Sequence, residues 1–442
     1  MKNNTIDTTG LLERSVPRGM GRRSFLKRFS GGVVIAVSLL DFEALEAAVL
    51  QDYPADLNAY LSIGKDGRVA CYTGKIEMGQ GVITSLAQMI AEELDVSLHV
   101  VDMVMGDTDL CPYDRGTWGS QTTRIFGPAL RAAAAEARAI LLQLAAAQLK
   151  VPLENLVVTD GTVFHRSGRQ QSITYGQLTE GNKIVKTLSE KPKLKSPSEF
   201  KIIGKPVLHM DAMAKVTGAA LYAGDVRLPG MRYAKILRPP SHDARMVKLD
   251  VSAVENEKDI MLIQDNGLVA VLHEDYEMAE KYLDKIKVEY DIPETGLNEN
   301  TIFDHLINVA PQATMLGESG SVQFDENKGE EIIESTFLDG YVAHAPMEPH
   351  TALAVMENGR MKIWASTQNP FGLRGIIATE LNMKEEQVQI MQIFLGGGFG
   401  GKSSNGQAVE AARLAKASAM PVMVAWTRRE EFFTIPSDLP PW

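Results

Sequence analysis

The chain has 442 residues, 45% of them apolar and 23% charged, an ordinary balance for a globular protein of two or three domains. Its 45 basic and 56 acidic residues leave a net charge of −11, which repels nucleic acid and anionic membrane and excludes both as partners of its surface. Two cysteines, Cys71 and Cys111, are too few for an iron–sulfur cluster or a four-thiolate zinc site, so any electrons handled here leave through another subunit or a non-protein acceptor.

Residues 22–27 read Arg-Arg-Ser-Phe-Leu-Lys, and an apolar run follows at 31–40. That run falls short of the roughly 20 residues a spanning helix needs. A basic n-region before a short apolar h-region reads as a secretory signal, and the paired arginines before Phe-Leu-Lys match the twin-arginine form. Residues 1–50 are therefore expected to be an address to the periplasm. Residues 44–48 hold no clean Ala-x-Ala, so retention at the inner membrane as an uncleaved anchor stays open.

Residues 51–182 form the first folded segment. Alternation predicts strands at 59–63 and 69–73 around the turn Lys65-Asp66-Gly67. Cys71 falls on the inward side of the second, and spacing leaves a disulfide with Cys111 undecided. A helix follows with Val82, Leu86, Met89, Ile90 and Leu94 on one face, then a strand at 100–106. A polar, glycine-rich loop at 107–127 leads into an alanine-rich helix over 128–150, with Pro128 in its first turn.

The Lys/Ser/Pro-rich stretch 183–200 reads as a linker. Residues 201–291 are expected as a compact mixed unit, with strands at 219–223, 233–237, 268–272 and 286–290 and a helix near 274–283. A connection at 292–330 precedes a strand-rich region, 331–442. Strands are expected there at 352–356, 361–365, 388–394 and 422–426, with helices between Asn369 and Leu381 and over 407–417. The class is α+β.

Three loops open predicted helices: Glu77-Met78-Gly79-Gln80-Gly81, then Gly116 to Thr123, then Gly396 to Ser404. Helix N-termini carry free N–H groups and partial positive charge, and glycines let a ligand approach the backbone. Hydroxyl and amide side chains in these loops point to one large, phosphate-bearing ligand gripped from several sides. The third loop also fits G-x-x-x-x-G-K-S and G-x-G-x-x-G. A nucleotide hydrolase or dinucleotide fold needs several further parallel strands after that loop, and one predicted strand follows it. No strand after it ends in the Asp that would hold magnesium.

Taken together these residues resemble the xanthine oxidase family of molybdenum hydroxylases, in particular the large (beta) subunit of isoquinoline 1-oxidoreductase-type enzymes. The resemblance runs from about residue 55 to 431. It rests on Glu77 to Gly81, on the glycine-rich arch Gly396 to Lys402 and on Ser366-Thr367-Gln368 ahead of it. It rests also on Val216-Thr217-Gly218, Tyr222, Asp225 and Leu228-Pro229-Gly230, which look like the start of an α/β hammerhead domain inserted between molybdenum-cofactor-binding domains. Here the Met-Gly-Gln loop precedes the hammerhead, the permuted order of the isoquinoline-type branch.

By resemblance, Met78, Gly79, Gln80 and Gly81 contact a pterin, and Gly119, Ser120, Gln121, Thr122 and Thr123 hold its phosphates or edge. Gly397, Gly398, Phe399 and Gly400 lie beside the metal. The implied cofactor is molybdenum–molybdopterin, as the cytosine dinucleotide, and the implied reaction is hydroxylation of N-heterocycles or aldehydes with oxygen from water. The implied partners are a small subunit with two 2Fe–2S clusters and a cytochrome c acceptor. His344, Glu348 and His350 read as strand-end packing rather than a metal site, and Val342 stands where many relatives carry a glutamine.

The family's general base is a glutamate in a Gly-x-Gly-Glu type motif, and none occurs after residue 402. Glu77 belongs to the pterin loop and is not promoted to base, so no catalytic residue is assigned. The expectation is a truncated subunit, inactive alone, its C-terminal half a separate chain if the gene is split. The leading account of the break is a frameshift after Phe433, since one coding of 434–442 read a base earlier yields Tyr-Asp-Thr-Phe-Arg-Pro; a split gene is the competing account. A non-catalytic pterin-binding module and, further off, a phosphate-loop hydrolase are the rival readings.

Overall fold

The fold is that of a computed structural model, in which residues 32–37, 59–180, 183–187, 192–294, 296–312, 314–315, 317, 319, 333–340, 342–391 and 393–434 are described. The arginine pair at 22–23 and the stretch 44–48 lie outside the described residues.

The first sheet holds β1 (Gly32–Val37), β2 (Ala59–Ile63), β3 (Val69–Thr73), β4 (Val101–Met105) and, further along, β8 (Lys183–Thr187), in the order β4-β3-β2-β1-β8. β2 and β3 pair around the turn at Gly67, whose φ of 76° suits glycine. Parallel pairing of β3 with β4 needs a crossover, which helix α1 (Val82–Leu94) supplies. Val82, Leu86, Ile90 and Leu94 are buried as their spacing predicts, while Met89 is half-buried. Helix α2 (Gly127–Leu149) packs on α1, and its Ala133, Ala134 and Ala137 lie buried in the core the two helices share. Part of the run 31–40, expected to serve in an address, is here strand β1, antiparallel to β2 and parallel to β8.

Residues 150–182, for which periodicity predicted nothing, hold the meander β5 (Leu156–Thr159), β6 (Thr162–His165) and β7 (Gly168–Thr174). The expected linker is fastened down rather than loose. Lys195 Nζ reaches Asp95 at 2.7 Å, and the buried Glu92 carboxylate accepts from the amides of Lys201, Ile202 and Ile203 at 2.9, 2.6 and 3.0 Å.

The second sheet has seven strands. They are β9 (Arg232–Ile236), β11 (Met261–Asp265), β12 (Leu268–His273), β14 (Thr351–Glu357), β15 (Arg360–Ala365), β16 (Val388–Met391) and β17 (Val422–Ala425), ordered β11-β12-β9-β17-β14-β15-β16. The parallel pairing of β9 with β17, Arg232 opposite Val422, runs the sheet straight across the boundary expected near 291. Residues 201–291 therefore do not form a separate sheet. Their remaining strands, β10 (Arg245–Asp250) and β13 (Lys287–Asp291), make a two-stranded layer beside helix α3 (Tyr276–Leu283). No strand forms at 219–223. Tyr222 makes one isolated bridge to Phe394 and then caps a turn through Asp225.

Helix α4 (Ile302–Val309) lies inside the expected connection 292–330. Helices α5 (Pro370–Glu380) and α6 (Gly406–Ser418) cover the second sheet, and α7 (Arg428–Thr434) ends the described chain. Asn369 caps α5 through Gly372 N–H at 2.9 Å. Among the described residues no helix is long and apolar enough to cross a membrane. Cys71 lies in the core strand as expected, and both cysteines are buried free thiols, so the disulfide left open is not formed.

The two sheets meet at residues 107–109. Thr108 N–H donates to Ile390 O at 3.1 Å, and Ile390 N–H returns a bond to Thr108 Oγ1 at 2.9 Å. Arg360 grips both carboxylate oxygens of Asp109 at 3.0 and 2.7 Å. Phe371 of α5 packs against Tyr72 of β3 and Cys111 of the loop after β4.

Candidate functional site

This junction draws the three glycine loops together. Gln368, 1% exposed beyond the end of β15, is the hub. Its Nε2 donates to Thr117 O at 2.8 Å, and its Oε1 accepts from Gly400 N–H at 3.0 Å. Its backbone exchanges with the same two loops: Thr117 N–H reaches Gln368 O at 3.0 Å, and Gln368 N–H reaches Lys402 O at 2.9 Å. One step further, Ile76 N–H donates to Thr117 Oγ1 at 2.9 Å, tying in the first loop. Sequence reading placed Gln368 only at a strand end. The signal available was the polar run Ser366-Thr367-Gln368-Asn369 directly after an apolar strand.

In the first loop the amides expected to face a ligand are already taken. Glu77, 6% exposed, accepts from Gly79 and Gly81 N–H at Oε1 (2.8 and 3.1 Å) and from Ile83 N–H at Oε2 (2.9 Å). Met78 N–H donates to Gln80 Oε1 at 2.7 Å, while Gln80 Nε2 is spent on Ile76 O at 2.9 Å. A carboxylate at the head of α1 offsets the partial positive charge there, so the chain fills its own anion hole. This corrects the expectation of free amides at Met78, Gly79 and Gly81. What the loop leaves open is Gly79, where an added Cβ would meet nothing within 4 Å. Against Gly81 sits the ring of His209, 2.8 Å from where a Cβ would stand, a neighbour sequence reading missed.

The second loop rests on a buried ion pair, Lys75 Nζ to Asp114 Oδ1 at 2.9 Å, and the same carboxylate oxygen holds Gly116 N–H at 2.9 Å. Gly119 and Ser120 follow with φ of 63° and 54°, and the chain then enters a π-helical turn, Thr122–Phe126, ahead of α2. Such turns mark sites where a helix end is adapted to another task, and the first turn leaves its amides without intrahelical partners. Gly119, Ser120, Thr123 and Arg124 are exposed and Gln121 is half-buried. Thr122 is only 8% exposed, so its side chain packs inward rather than toward a ligand.

The third loop is an arch. Gly397, Phe399 and Gly400 have φ of 89°, 54° and 104°, and Phe399 stands 71% exposed at the apex. Gly400 N–H is committed to Gln368 and so is not among the arch's free amides. Among the described residues nothing accepts from the amides of Gly397, Gly398 and Phe399. At Gly398 a Cβ would come within 2.4 Å of Gln368 Oε1, so only glycine lets the arch close on its hub.

Lys402 does not reach out as a phosphate-loop lysine would. It is 0% exposed and paired with Glu348 Oε2 at 2.8 Å; burial pushes its ammonium below the usual lysine range, against the pull of Glu348. His350 is fully buried, bonded to Gly401 O at 3.2 Å and stacked on Trp426. Among the described residues no cluster of His, Cys, Asp or Glu could hold a metal ion. Val342 is 62% exposed.

Residues 21–219 and 308–439 each match a family model described as a molybdopterin cofactor-binding domain. The chain is 30% identical over 390 residues to a nicotinate dehydrogenase subunit of Pseudomonas putida, covering 85% of this chain and 32% of that protein. It is 26% identical over 469 residues to the beta subunit of isoquinoline 1-oxidoreductase of Brevundimonas diminuta, covering 93% of this chain and 60% of that one. The chain thus spans 32% and 60% of the length of these two relatives. Quinoline 2-oxidoreductase from Pseudomonas putida 86 is similar in structure with a TM-score of 0.42 and 23% identity, over 52% of this chain and 35% of that one.

Proposed function

Because the chain belongs to the xanthine oxidase family of molybdenum hydroxylases, molybdopterin-dependent oxidoreductases, we propose that its second and third loops hold the molybdenum cofactor as the pterin cytosine dinucleotide. One observation carries this reading: Gln368 binds Thr117 and Gly400 at once, so the exposed turn at Gly119 and Ser120 and the free amides of Gly397 to Phe399 share one junction. The residues fit such a group. Unpaired backbone N–H groups donate to an anionic oxygen, and the hydroxyls of Ser120 and Thr123 donate to phosphate at the head of α2. Gly79 gives a flat ring room to approach the backbone.

When bound, the cofactor supplies two-electron oxidation of a substrate carbon with oxygen from water. This chain orients it. Gly398 and Phe399 N–H would hold its anionic oxygens, Phe399 would shield it from water, and Ser120, Gln121 and Thr123 would hold its phosphates. Glu77 is occupied by three backbone amides and is not assigned as the general base. Hydroxylation of N-heterocycles or aldehydes is proposed for the enzyme into which this chain assembles. A small subunit with two 2Fe–2S clusters and a cytochrome c acceptor are proposed to complete its electron path, and export by the twin-arginine route its placement in the periplasm.

The test is chemical. Protein purified from molybdenum-replete cells that synthesise the dinucleotide cofactor should carry molybdenum and, on acid release, cytidine monophosphate in equal amounts. Protein with neither metal nor pterin overturns the reading. A different released nucleotide removes the cytosine form alone, and ATP turnover would favour a hydrolase.

A further inference from the structure

Beneath the arch 396–402, exposed only at Phe399, lies a charged cluster that cofactor binding does not use, with Lys402 and Glu431 buried and Glu348 half-buried. Glu348 Oε2 accepts from Gly396 N–H at 2.8 Å and from Lys402 Nζ at 2.8 Å, so one oxygen fastens both ends of the arch. Glu348 N–H also donates to Gly396 O at 3.1 Å. A Cβ at Gly396 would sit 2.4 Å from that of Glu348, so glycine permits the contact. Glu431 of α7 lies behind, 1% exposed, 3.6 Å from His350 Nδ1 and 3.2 Å from Arg428 Nη1. Arg428 in turn donates to Pro346 O, two residues before Glu348.

Two acids and two bases here balance in charge. A buried ion pair contributes little net stability, because desolvation of both charges offsets their attraction; its better-attested use is to fix one geometry. Glu348 and Lys402 do that at the one place where an arch must stay raised with its amides unpaired.

Resting on the cofactor reading above, we propose that Glu348 and Lys402 are positioning residues. Their pair closes the base of the arch and keeps Gly397, Gly398 and Phe399 N–H presented. The lysine of the apparent phosphate-loop motif is thus a clamp below the loop and makes no ligand contact.

Hydrogen exchange on the full chain without cofactor tests this. In wild type the amides of Gly396, Gly400 and Gly401 have acceptors and should be protected. In Lys402→Met, exchange at Gly400 and Gly401, whose own acceptors are untouched, should rise at least about tenfold. Exchange in α1 and α2 should stay as it was. Glu348→Gln keeps an acceptor for Gly396 and should show a smaller rise in the same amides. If Lys402→Met does not fold, Glu348→Gln decides alone.

Arch exchange at the wild-type rate, or a rise shared equally with β14, β15 and β17, overturns the proposal. The second outcome would mark the pair as general stability and nothing more. Because the measurement reads the empty chain, its failure leaves the cofactor assignment standing. Absence of molybdenum from purified protein would likewise leave the clamp standing.

Discussion

At the residue scale, Gly398 and Phe399 are neighbours with opposite expected behaviour. Gly398→Ala drives a methyl against Gln368 Oε1, and that side chain cannot swing aside because Thr117 and Gly400 hold both its ends. Overpacking of this kind costs about 1–3 kcal/mol, and urea unfolding should read a loss of that size. Phe399→Ala removes a ring already 71% exposed. Its unfolding midpoint should stay within about 0.5 kcal/mol of wild type. Yet protein carrying it should retain less molybdenum when purified from replete cells. Loss of stability together with molybdenum would mean that Phe399 packs into the fold and does not shield a ligand.

At the element scale, Glu77 is the cap of α1 and serves its amides in place of a ligand. Glu77→Ala leaves Gly79, Gly81 and Ile83 N–H without their acceptor, and loss of such a cap costs about 1–2 kcal/mol. Denaturation followed by circular dichroism should show that loss, and an unchanged midpoint would mean water replaces the carboxylate. The cap shows where sequence reading stopped short. α1 was legible because Val82, Leu86, Ile90 and Leu94 bury one face, and a helix pattern records only that face. An acid two residues before a glycine at the helix head was also readable, yet free amides were expected there. The strand at Gly168–Thr174 gave no alternation because only Ile173 in it is buried. The β9–β17 pairing joins Arg232 to Val422, and no local pattern reports a partner so distant in sequence. The three loops were legible as glycine turns before helices. Their common hub was not, since Gln368 meets Thr117 across 251 residues.

At the scale of the whole molecule, the site exists only while the two sheets stay joined, and Asp107 makes that joint sensitive to pH. Burial pushes its carboxyl from the usual 3.8 up to about 6, although Asp109 and Leu110 N–H and the Gln389 amide all favour the ionised form. The folded chain therefore holds this proton more tightly than the unfolded chain does. Between about pH 4 and 6 the folded state binds more protons, so this group's contribution to stability falls as pH rises through that window. A shift of about two units corresponds to at most about 3 kcal/mol, fully incurred at pH 7. Asp107→Asn removes the charge and keeps an acceptor for both amides, while Gln389 can turn its carbonyl toward the new NH₂ group. The variant should be more stable than wild type at pH 7 by about 1–3 kcal/mol, and the gap should close toward pH 4. Urea midpoints at pH 4, 5, 6 and 7 measure it. A gap of constant size across that range would mean that Asp107 titrates alike folded and unfolded, and that burial at this joint carries no charge penalty.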